Sequence, residues 1–293
     1  MGSIRFVDEE EAREDLPEEF EPYVRDWFND RFEQLTPPQK HSFELIHEGE
    51  NSLISAPTGS GKTLSAFLSI LNELFLLGEK DELEDRIYAV YISPLRALGN
   101  DIHRNLKVPL EEIRERAEDN GIEMPEVRHA VRTGDTSDSE KSKMLETPPH
   151  ILITTPETLG IVLNAPKFRE KLRGVEYVIV DEIHSLSDNK RGSHLSLSLE
   201  RLQEMAETDP TRIGLSATQA PIDEIANFLV GYEDGESRGC NIVDVAASKD
   251  MDLEVLSPVE DLIHTDPDVV NGNMYRRIHE EVQDHTTTLI FTN

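Results

Sequence analysis

The sequence predicts an α/β domain in which helices cover both faces of a mostly parallel sheet. Short apolar segments alternate with longer segments whose apolar residues recur at helical spacing. Several of the short segments are apolar at every position, as expected of parallel strands that are buried on both faces. Small, hydroxylated or charged residues repeatedly follow these strands, and the carboxyl ends of the strands are where open α/β sheets bind ligands.

The length and the cysteine content limit the class of protein. At 293 residues the chain is long enough for one large domain or two ordinary ones. The longest apolar stretch, Ala66 to Leu77, is interrupted by Asn72 and Glu73, so we expect no membrane span. The first residues show neither a signal peptide nor a myristoylation pattern, and we expect a cytoplasmic location. Cys240 is the only cysteine, which excludes an internal disulfide and a metal site built on several cysteines.

The charge of the chain favours two different interpretations. Asp and Glu number 59 against 29 Lys and Arg, which gives a formal net charge of −30. Nucleic-acid binders usually carry a positive patch, so this balance argues against that class at first sight. However, the acids are spread over every segment, which is typical of proteins from a halophilic source with a very salty cytoplasm. In such salt, nucleic-acid binding would depend on neutral donors and shape.

The N-terminal region is acidic, and we expect residues 1–26 to be a solvated and partly mobile lead-in. Trp27 and Phe28 open the predicted folded part. A Pro-rich turn then presents Gln39 ahead of a predicted helix from Lys40 to His47. The amide of a Gln side chain can donate and accept hydrogen bonds at once, which suits an adenine edge, although a lone Gln is usually a surface residue.

The stretch from Ser52 to Thr63 predicts a strand, a glycine-containing loop and the start of a helix, which together form a phosphate cradle. The first amides of a helix have no intrahelical partners and, with the helix dipole, favour an anion. In the P-loop pattern the lysine, here Lys62, reaches the β/γ-phosphates, and the next hydroxyl, here Thr63, holds Mg²⁺. The general pattern opens with Gly, where this chain has Ala56. The predicted ATP-binding residues of the loop are Thr58, Gly59, Ser60, Gly61, Lys62 and Thr63.

The remaining elements follow from the spacing of apolar residues. Strands are predicted at Ile87–Ile92, Val127–Val131, Ile151–Ile153, Val175–Val180, Arg212–Leu215, Ile242–Val245 and Thr287–Asn293. Helices are predicted from the P-loop to Leu77, at Ala97–Asp119 with a break near Pro109, and at Ser137–Leu145, Glu157–Leu163, Ser193–Met205, Ile222–Leu229 and Met274–Val282.

Two carboxylates, Asp181 and Glu182, directly follow the buried strand that ends at Val180. We predict that Asp181 holds Mg²⁺, directly or through water, and that Glu182 orients and deprotonates the attacking water. Two acids that merely begin a loop are common in so acidic a chain. Beside a P-loop, however, they supply the metal and the base that hydrolysis of a nucleoside triphosphate needs, so both also belong to the predicted ATP site.

An ordered set of short motifs resembles those of superfamily 2 helicases. The Q motif and motifs I, Ia, Ic, Ib, II and III are matched by Gln39, Ala56–Thr63, Ser93–Arg96, Arg132–Asp135, Thr154–Glu157, Asp181–His184 and Ser216–Thr218. Within that group, Pro94–Asp101 and Lys190–Leu202 resemble the large helicase-related (Lhr) proteins. The resemblance covers roughly residues 27–293.

This resemblance implies a RecA-like P-loop fold and an ATP- and Mg²⁺-dependent helicase that moves 3′→5′ on single-stranded DNA in DNA repair. Contacts with the nucleic-acid backbone are implied for Arg96, Thr133 and Thr155. Coupling of hydrolysis to strand contact is implied for Ser216, Thr218 and His184.

The resemblance also implies a division of the chain. Residues 27–256 correspond to the first RecA-like lobe, and residues 257–293 to a linker and the start of the second lobe. The Gln-x-x-Gly-Arg-x-Gly-Arg element of motif VI, which carries arginine fingers, does not occur in this sequence. We therefore expect this chain alone to be a poor ATPase. The implied partners are single-stranded or partly duplex DNA, or RNA, and the rest of a helicase polypeptide with a second RecA-like lobe and a winged helix.

Two other functions stay open. The Asp-Glu-x-His pattern of motif II also occurs in Ski2-like helicases, which act on RNA or DNA. The acidity of the chain favours a P-loop ATPase that acts on protein conformation, or a nucleotide-binding module, without a nucleic-acid partner. The sequence predicts no oligomeric state.

Overall fold

The computed structural model describes residues 3–94, 102–187, 189–217, 221–245 and 254–291. They fall into two compact units, residues 1–247 and residues 248–293. The predicted boundary between the first lobe and the linker, at residue 256, lies within the second unit.

The first unit is built on a sheet whose strands are all parallel. In chain order its strands are β1 (Ile4–Phe6), β2 (Ser52–Ser55), β3 (Ala89–Ile92), β4 (His129–Arg132), β5 (Ile151–Thr154), β6 (Tyr177–Val180), β7 (Thr211–Ser216) and β10 (Cys240–Asp244). Within the described residues the order across the sheet is β1-β10-β2-β7-β6-β3-β5-β4. Two short strands, β8 (Tyr232–Glu233) and β9 (Glu236–Ser237), form a separate antiparallel pair.

Helices cover both faces of this sheet. They are α1 (Pro22–Arg31), α2 (Gln39–His47), α3 (Lys62–Glu79), α4 (Val108–Asp119), α5 (Asp138–Glu146), α6 (Pro156–Asn164), α7 (Pro166–Arg169), α8 (Lys190–Met205) and α9 (Ile222–Val230). Helices α1 to α4 pack on one face, and α6 to α9 pack on the other. Neighbouring strand residues such as Leu53 and Ile54 enter opposite cores because strand side chains alternate. The predicted α/β class with a parallel sheet is confirmed.

The N-terminal region differs from its prediction. Residues 4–6 form an edge strand that pairs in parallel with β10, and Leu16 and Phe20 are buried. The prediction of a solvated, partly mobile lead-in is therefore wrong for this part, because the few apolar residues among the acids pack into the core.

The helix predicted at residues 97–119 begins outside the described residues and is interrupted by a π-helical turn at His103–Lys107. Pro109 lies in the first turn of α4, where its missing N–H costs no hydrogen bond. The backbone stays helical through Lys107 and Val108, so in place of the predicted break near Pro109 the structure has a change from π-helix to α-helix.

The second unit contains one helix in its described part, α10 (Pro267–Asp284), which includes the predicted helix Met274–Val282. The strand predicted from Thr287 is not formed over residues 287–291, and residues 292 and 293 lie outside the described part. A strand needs a paired neighbour, and this segment pairs with no other strand among the described residues. No helix of the described chain is both long enough and apolar enough to cross a membrane.

Candidate active site

The P-loop joins β2 to α3 at the carboxyl edge of the sheet. Gly59 and Gly61 have φ angles of +80° and +87°, in the left-handed region that favours glycine. A Cβ at position 61 would lie 2.6 Å from Gln39 Nε2, so a larger residue does not fit there. Thr58 and Gly59 are exposed, and α3 begins at Lys62, directly after the loop. The loop thus has the backbone that the predicted phosphate cradle requires.

The side chain of Lys62 is almost completely buried and lies against the loop. Its Nζ donates to the carbonyl oxygens of Ala56, at 3.1 Å, and Pro57, at 3.3 Å. The Ser60 hydroxyl is buried and has no hydrogen-bond partner among the described residues. Buried hydroxyls rarely lack partners, and a phosphate oxygen is a suitable acceptor for this one.

Gln39 is buried and holds the P-loop from the side. Its Oε1 accepts the Thr36 N–H at 2.9 Å, and its Nε2 donates to Gly61 O at 3.4 Å. The Thr36 hydroxyl donates to Ser60 O at 2.6 Å. Both ends of the Gln39 amide are therefore engaged within the chain, and its adenine contact stays a prediction. Thr36 was not predicted, although its place in the same Pro-rich turn was the signal.

Asp181 is a buried carboxylate at the end of β6, with 3% of its surface exposed. The Tyr91 hydroxyl, from the neighbouring strand β3, donates to Oδ2, and the Glu182 N–H donates to Oδ1 at 2.8 Å. Burial raises the pKa of Asp181, while these hydrogen bonds and the charge of Lys62 act in the opposite direction. Asp181 and Lys62 therefore interact across one site. Tyr91 was not predicted, because it lies in a strand that is apolar around it.

Glu182 has a left-handed backbone, with φ of +52°, which is uncommon for a residue with a side chain. Its carboxylate lies 3.2 Å from His184 Nε2. On the other side of the ring, His184 Nδ1 accepts the Ala217 N–H at 3.1 Å and lies 3.3 Å from Ser216 Oγ. Because Nδ1 is an acceptor, Nε2 carries the proton and donates to Glu182. The end of β6 is thus linked to the end of β7.

The residues present fit Mg²⁺. Magnesium in nucleotide sites is usually held by one or two carboxylates and the phosphates, and rarely by an all-protein cage. Asp181 supplies a buried carboxylate, and Thr63, half-buried in the first turn of α3, supplies a hydroxyl. The described residues contain no cluster of three or more His, Cys, Asp or Glu that would form such a cage.

Of the three residues predicted to contact nucleic acid, the structure describes Thr133 and Thr155. Thr133 is half-buried in a turn, where its N–H donates to Thr136 Oγ1 at 2.8 Å. Thr155 is buried, and its hydroxyl caps α6 by accepting the Thr158 N–H at 3.3 Å. Arg96 and Thr218 lie outside the described residues, so all of these roles stay predictions.

Comparisons with known proteins agree with this geometry. The sequence profile of the DEAD/DEAH box helicase family matches residues 36–225. ATP-dependent helicase Lhr-Core protein 2 of Thermococcus barophilus is 56% identical over 291 residues, which are 99% of this chain and 34% of that protein. ATP-dependent helicase Lhr-Core of Methanothermobacter thermautotrophicus is 57% identical over 272 residues, which are 93% of this chain and 31% of that protein.

A solved structure has a similar fold. Mycobacterium smegmatis helicase Lhr, bound to single-stranded DNA and AMP-PNP, is 40% identical and superposes with a TM-score of 0.77 over 94% of this chain and 34% of that one. This chain thus spans about a third of the length of the relatives that it matches. From the matched profile, the P-loop and the carboxylate pair at β6, the chain belongs to the DEAD/DEAH box helicase family, in which it corresponds to a helicase lobe of the Lhr proteins.

Proposed function

We propose that this chain is the ATP-binding lobe of an ATP-dependent DNA helicase that moves 3′→5′ along a single strand and acts in DNA repair in the cytoplasm. The observation that carries the proposal is the linked set of Lys62, Asp181, Glu182 and His184, because it joins a phosphate cradle to the end of β7. Support comes from relatives whose names describe ATP-dependent helicases and from the Lhr structure that holds single-stranded DNA and AMP-PNP.

The proposed chemistry is hydrolysis of ATP at the carboxyl edge of the sheet. Thr63 and Asp181 would hold Mg²⁺, which neutralises charge on the phosphates. Lys62 would turn from the loop carbonyls to the phosphate oxygens, which are better acceptors for an ammonium. Glu182 would orient and deprotonate the attacking water. Through its contacts with Glu182, Ser216 and Ala217, His184 would couple a change at that carboxylate to the segment from Ser216 to Thr218.

The nucleic acid would lie over the same edge, on Arg96, Thr133 and the start of α6 at Thr155. Contacts through amides and hydroxyls suit a chain as acidic as this one. We further propose that residues 257–293 begin a second RecA-like lobe, followed by a winged helix. The large exposures of Leu289 and Phe291, at 79% and 91%, support a segment that needs a further part of the protein to pack against.

Two substitutions test the site with this chain. Lys62→Ala should abolish binding of Mg·ATP, because it removes the cation from the phosphates. Glu182→Gln should preserve that binding and lower hydrolysis by about 10²- to 10⁴-fold, the usual contribution of a general base. Binding is measured by titration with a fluorescent ATP analogue, and hydrolysis by phosphate release. Normal hydrolysis by Glu182→Gln would show that another group is the base. Rapid DNA-stimulated turnover by this chain alone would contradict the expectation that a second lobe is needed for efficient hydrolysis.

The acidity favours a second candidate, a P-loop ATPase without a nucleic-acid partner. Binding of single-stranded DNA across a range of KCl concentrations separates the two, and no binding at any concentration would support the second. If DNA binds, stimulation of the ATPase of the longer protein by single-stranded DNA and by RNA distinguishes an Lhr helicase from a Ski2-like one.

A further inference from the structure

The strand β4 leaves one side of the sheet open. Within the described residues it is the last strand of the sheet and pairs only with β5. Arg128 directs both backbone groups toward β5: its carbonyl accepts from His150 and Ile151, and its N–H donates to His150 Nδ1. Backbone groups alternate in direction along a strand, so those of His129 and Val131 point to the open side. There, Val131 O receives only a long contact from the Thr136 hydroxyl, at 3.4 Å.

A cavity of about 700 Å³ lies beside this edge, between α4 and α5. Its apolar lining comes from both helices and from the strand, chiefly Leu110, Val127, Val131 and Met144. Val131 is 40% exposed, which is a large fraction for an apolar residue on a strand. An exposed apolar edge with unpaired backbone groups is a template for another strand, and proteins usually cover or shorten such an edge.

The cavity is also acidic. Its carboxylates are Glu111, Glu115, Glu118, Glu126 and Glu140, and its cations are Arg114, Arg128 and Lys143. Arg114 is bound by Glu118 at 2.8 Å, and Arg128 is held by Asp85 and by Pro148 O. Among the described residues, no ion pair is formed by the carboxylates of Glu111, Glu115, Glu126 and Glu140 or by Lys143, so the four free acids outweigh the one free cation of the cavity.

We propose that this cavity binds an extended segment of a partner protein, rich in Lys or Arg and in β-branched residues, which adds a strand to β4. The backbone groups of His129 and Val131 fit a polypeptide strand and no other ligand class as well. The apolar lining would take alternate side chains of that strand, and the acidic rim selects basic residues between them. The site lies away from the nucleotide site, because β3 and β5 separate β4 from β6.

A peptide and its N-methylated twin test the proposal. The probe is fluorescein-labelled Lys-Val-Lys-Val-Thr-Ile-Lys, and the twin carries N-methyl groups on alternate residues, which block one edge of its backbone. Fluorescence anisotropy with the whole chain should show binding of the probe, and about tenfold weaker binding of the twin, because two or more hydrogen bonds are lost. Hydrogen exchange should show slower exchange at the amides of His129 and Val131 when the probe is bound. Equal binding of the two peptides, no binding of the probe, or protection elsewhere would overturn the proposal.

Charge reversal supplies the matched control. Glu111→Lys with Glu126→Lys should weaken binding of the probe about fivefold or more, whereas Glu224→Lys with Glu236→Lys, an equal charge change at other exposed sites, should change it little. Equal losses of probe affinity in the two double variants would show that net charge alone causes the effect, and would overturn the proposed site. Protection of Val131 that grows with protein concentration would assign it to a second copy.

Discussion

Asp181 is a charged side chain that the fold buries almost completely. Burial disfavours the ionised form and raises its pKa, and the hydrogen bonds from Tyr91 and from the Glu182 amide compensate only in part. A raised pKa in the folded state means that the ionised carboxylate destabilises the fold above that pKa. A bound divalent cation reverses this effect, since it favours the ionised form.

Replacing this carboxylate should therefore stabilise the protein that lacks nucleotide. Asp181→Asn keeps an acceptor for the Glu182 amide and removes the buried charge, so we expect a higher unfolding temperature at pH 7 and a smaller gain on addition of Mg·ATP than in the parent chain. Differential scanning fluorimetry with and without Mg·ATP measures both. The control is Asp26→Asn, an exposed acid on α1, which should change neither. A lower unfolding temperature for Asp181→Asn would mean that the ionised group is favourable even without a metal.

Residues such as Lys62, Asp181 and Glu182 could be predicted because their chemistry stands at fixed places relative to a strand end. In the structure, burial raises the pKa of Asp181 and the charge of Lys62 acts in the opposite direction. Tyr91 could not be predicted, because a tyrosine in an apolar strand looks like core until the neighbouring strand is known. For Thr155 the sequence allows two roles, because a threonine before Pro-Glu can contact nucleic acid or cap a helix. In the structure its hydroxyl caps α6.

At the scale of elements, two glycines allow close packing, Gly160 where α6 contacts α8 and Gly192 where α8 contacts the turn before it. A Cβ at Gly160 would lie 2.2 Å from His194 Cε1, which is the end of a side chain. A Cβ at Gly192 would lie 1.9 Å from the backbone carbonyl oxygen of Leu186, which is fixed by the turn before α8. The first clash can be relieved by another substitution and the second cannot.

A double-mutant comparison tests this difference. Gly160→Ala should destabilise the fold by about 1–3 kcal/mol, and His194→Ala in the same chain should remove most of that loss. Gly192→Ala should destabilise at least as much, and His194→Ala should not rescue it. Urea unfolding gives each free energy. If His194→Ala rescued both or neither, the contact with the imidazole ring would not be the cause.

His150 links β4 to β5 and makes that edge of the sheet sensitive to acid. Its Nδ1 accepts the Arg128 N–H at 3.1 Å, and burial, followed by the charge of Arg128, lowers the pKa of His150 to about 4. A histidine whose folded-state pKa is depressed contributes stability above its unfolded pKa, near 6.5, and loses it as the pH falls toward the folded value.

Between pH 6.5 and 5 this residue should therefore cost about 2 kcal/mol of stability, at roughly 1.4 kcal/mol per pH unit for one proton. Burial also lowers the pKa values of His41 and His129, so part of the slope belongs to them. His150→Gln should flatten the dependence of the unfolding free energy on pH in this interval. His279→Gln, in the exposed part of α10, should leave the slope unchanged. An equal slope in His150→Gln would assign the acid sensitivity to the other two histidines.

Most strands of the parallel sheet could be predicted from their apolar sequence, but β1, β8 and β9 could not. The strand β1 has only three residues, shortly before a run of acids, and its partner, β10, lies at the other end of the unit in sequence. No local pattern indicates such a pairing. The segment at 287–291 has strong strand-forming residues, yet it pairs with no strand among the described residues, so propensity alone was insufficient.

At the scale of the whole molecule, the buried residues are confined to one unit, whereas the acidic residues occur in both. Every buried residue of the described chain lies in the first unit, and none lies in residues 254–291. The net charge of −30 is spread over both units, so like charges repel across the folded surface at low salt. Added salt shortens the range of this repulsion from about 10 Å at 0.1 M to about 3 Å at 1 M.

The first unit should consequently become more stable as salt is added. Between 0.1 and 1 M KCl we expect the unfolding temperature to rise by about 5 °C or more, which corresponds to roughly 2 kcal/mol for a domain of this size. Potassium chloride is chosen because sulfate or phosphate would also strengthen apolar burial, and sucrose at matched osmolality controls for excluded volume. Binding of single-stranded DNA to the longer protein should persist over the same range, with a shallow slope of log K against log salt, because amide and hydroxyl contacts release few counterions. An unfolding temperature that is flat or falls with KCl would show that the acids are neutralised locally by their ion pairs, and a steep loss of DNA binding would show that lysine and arginine carry the contact.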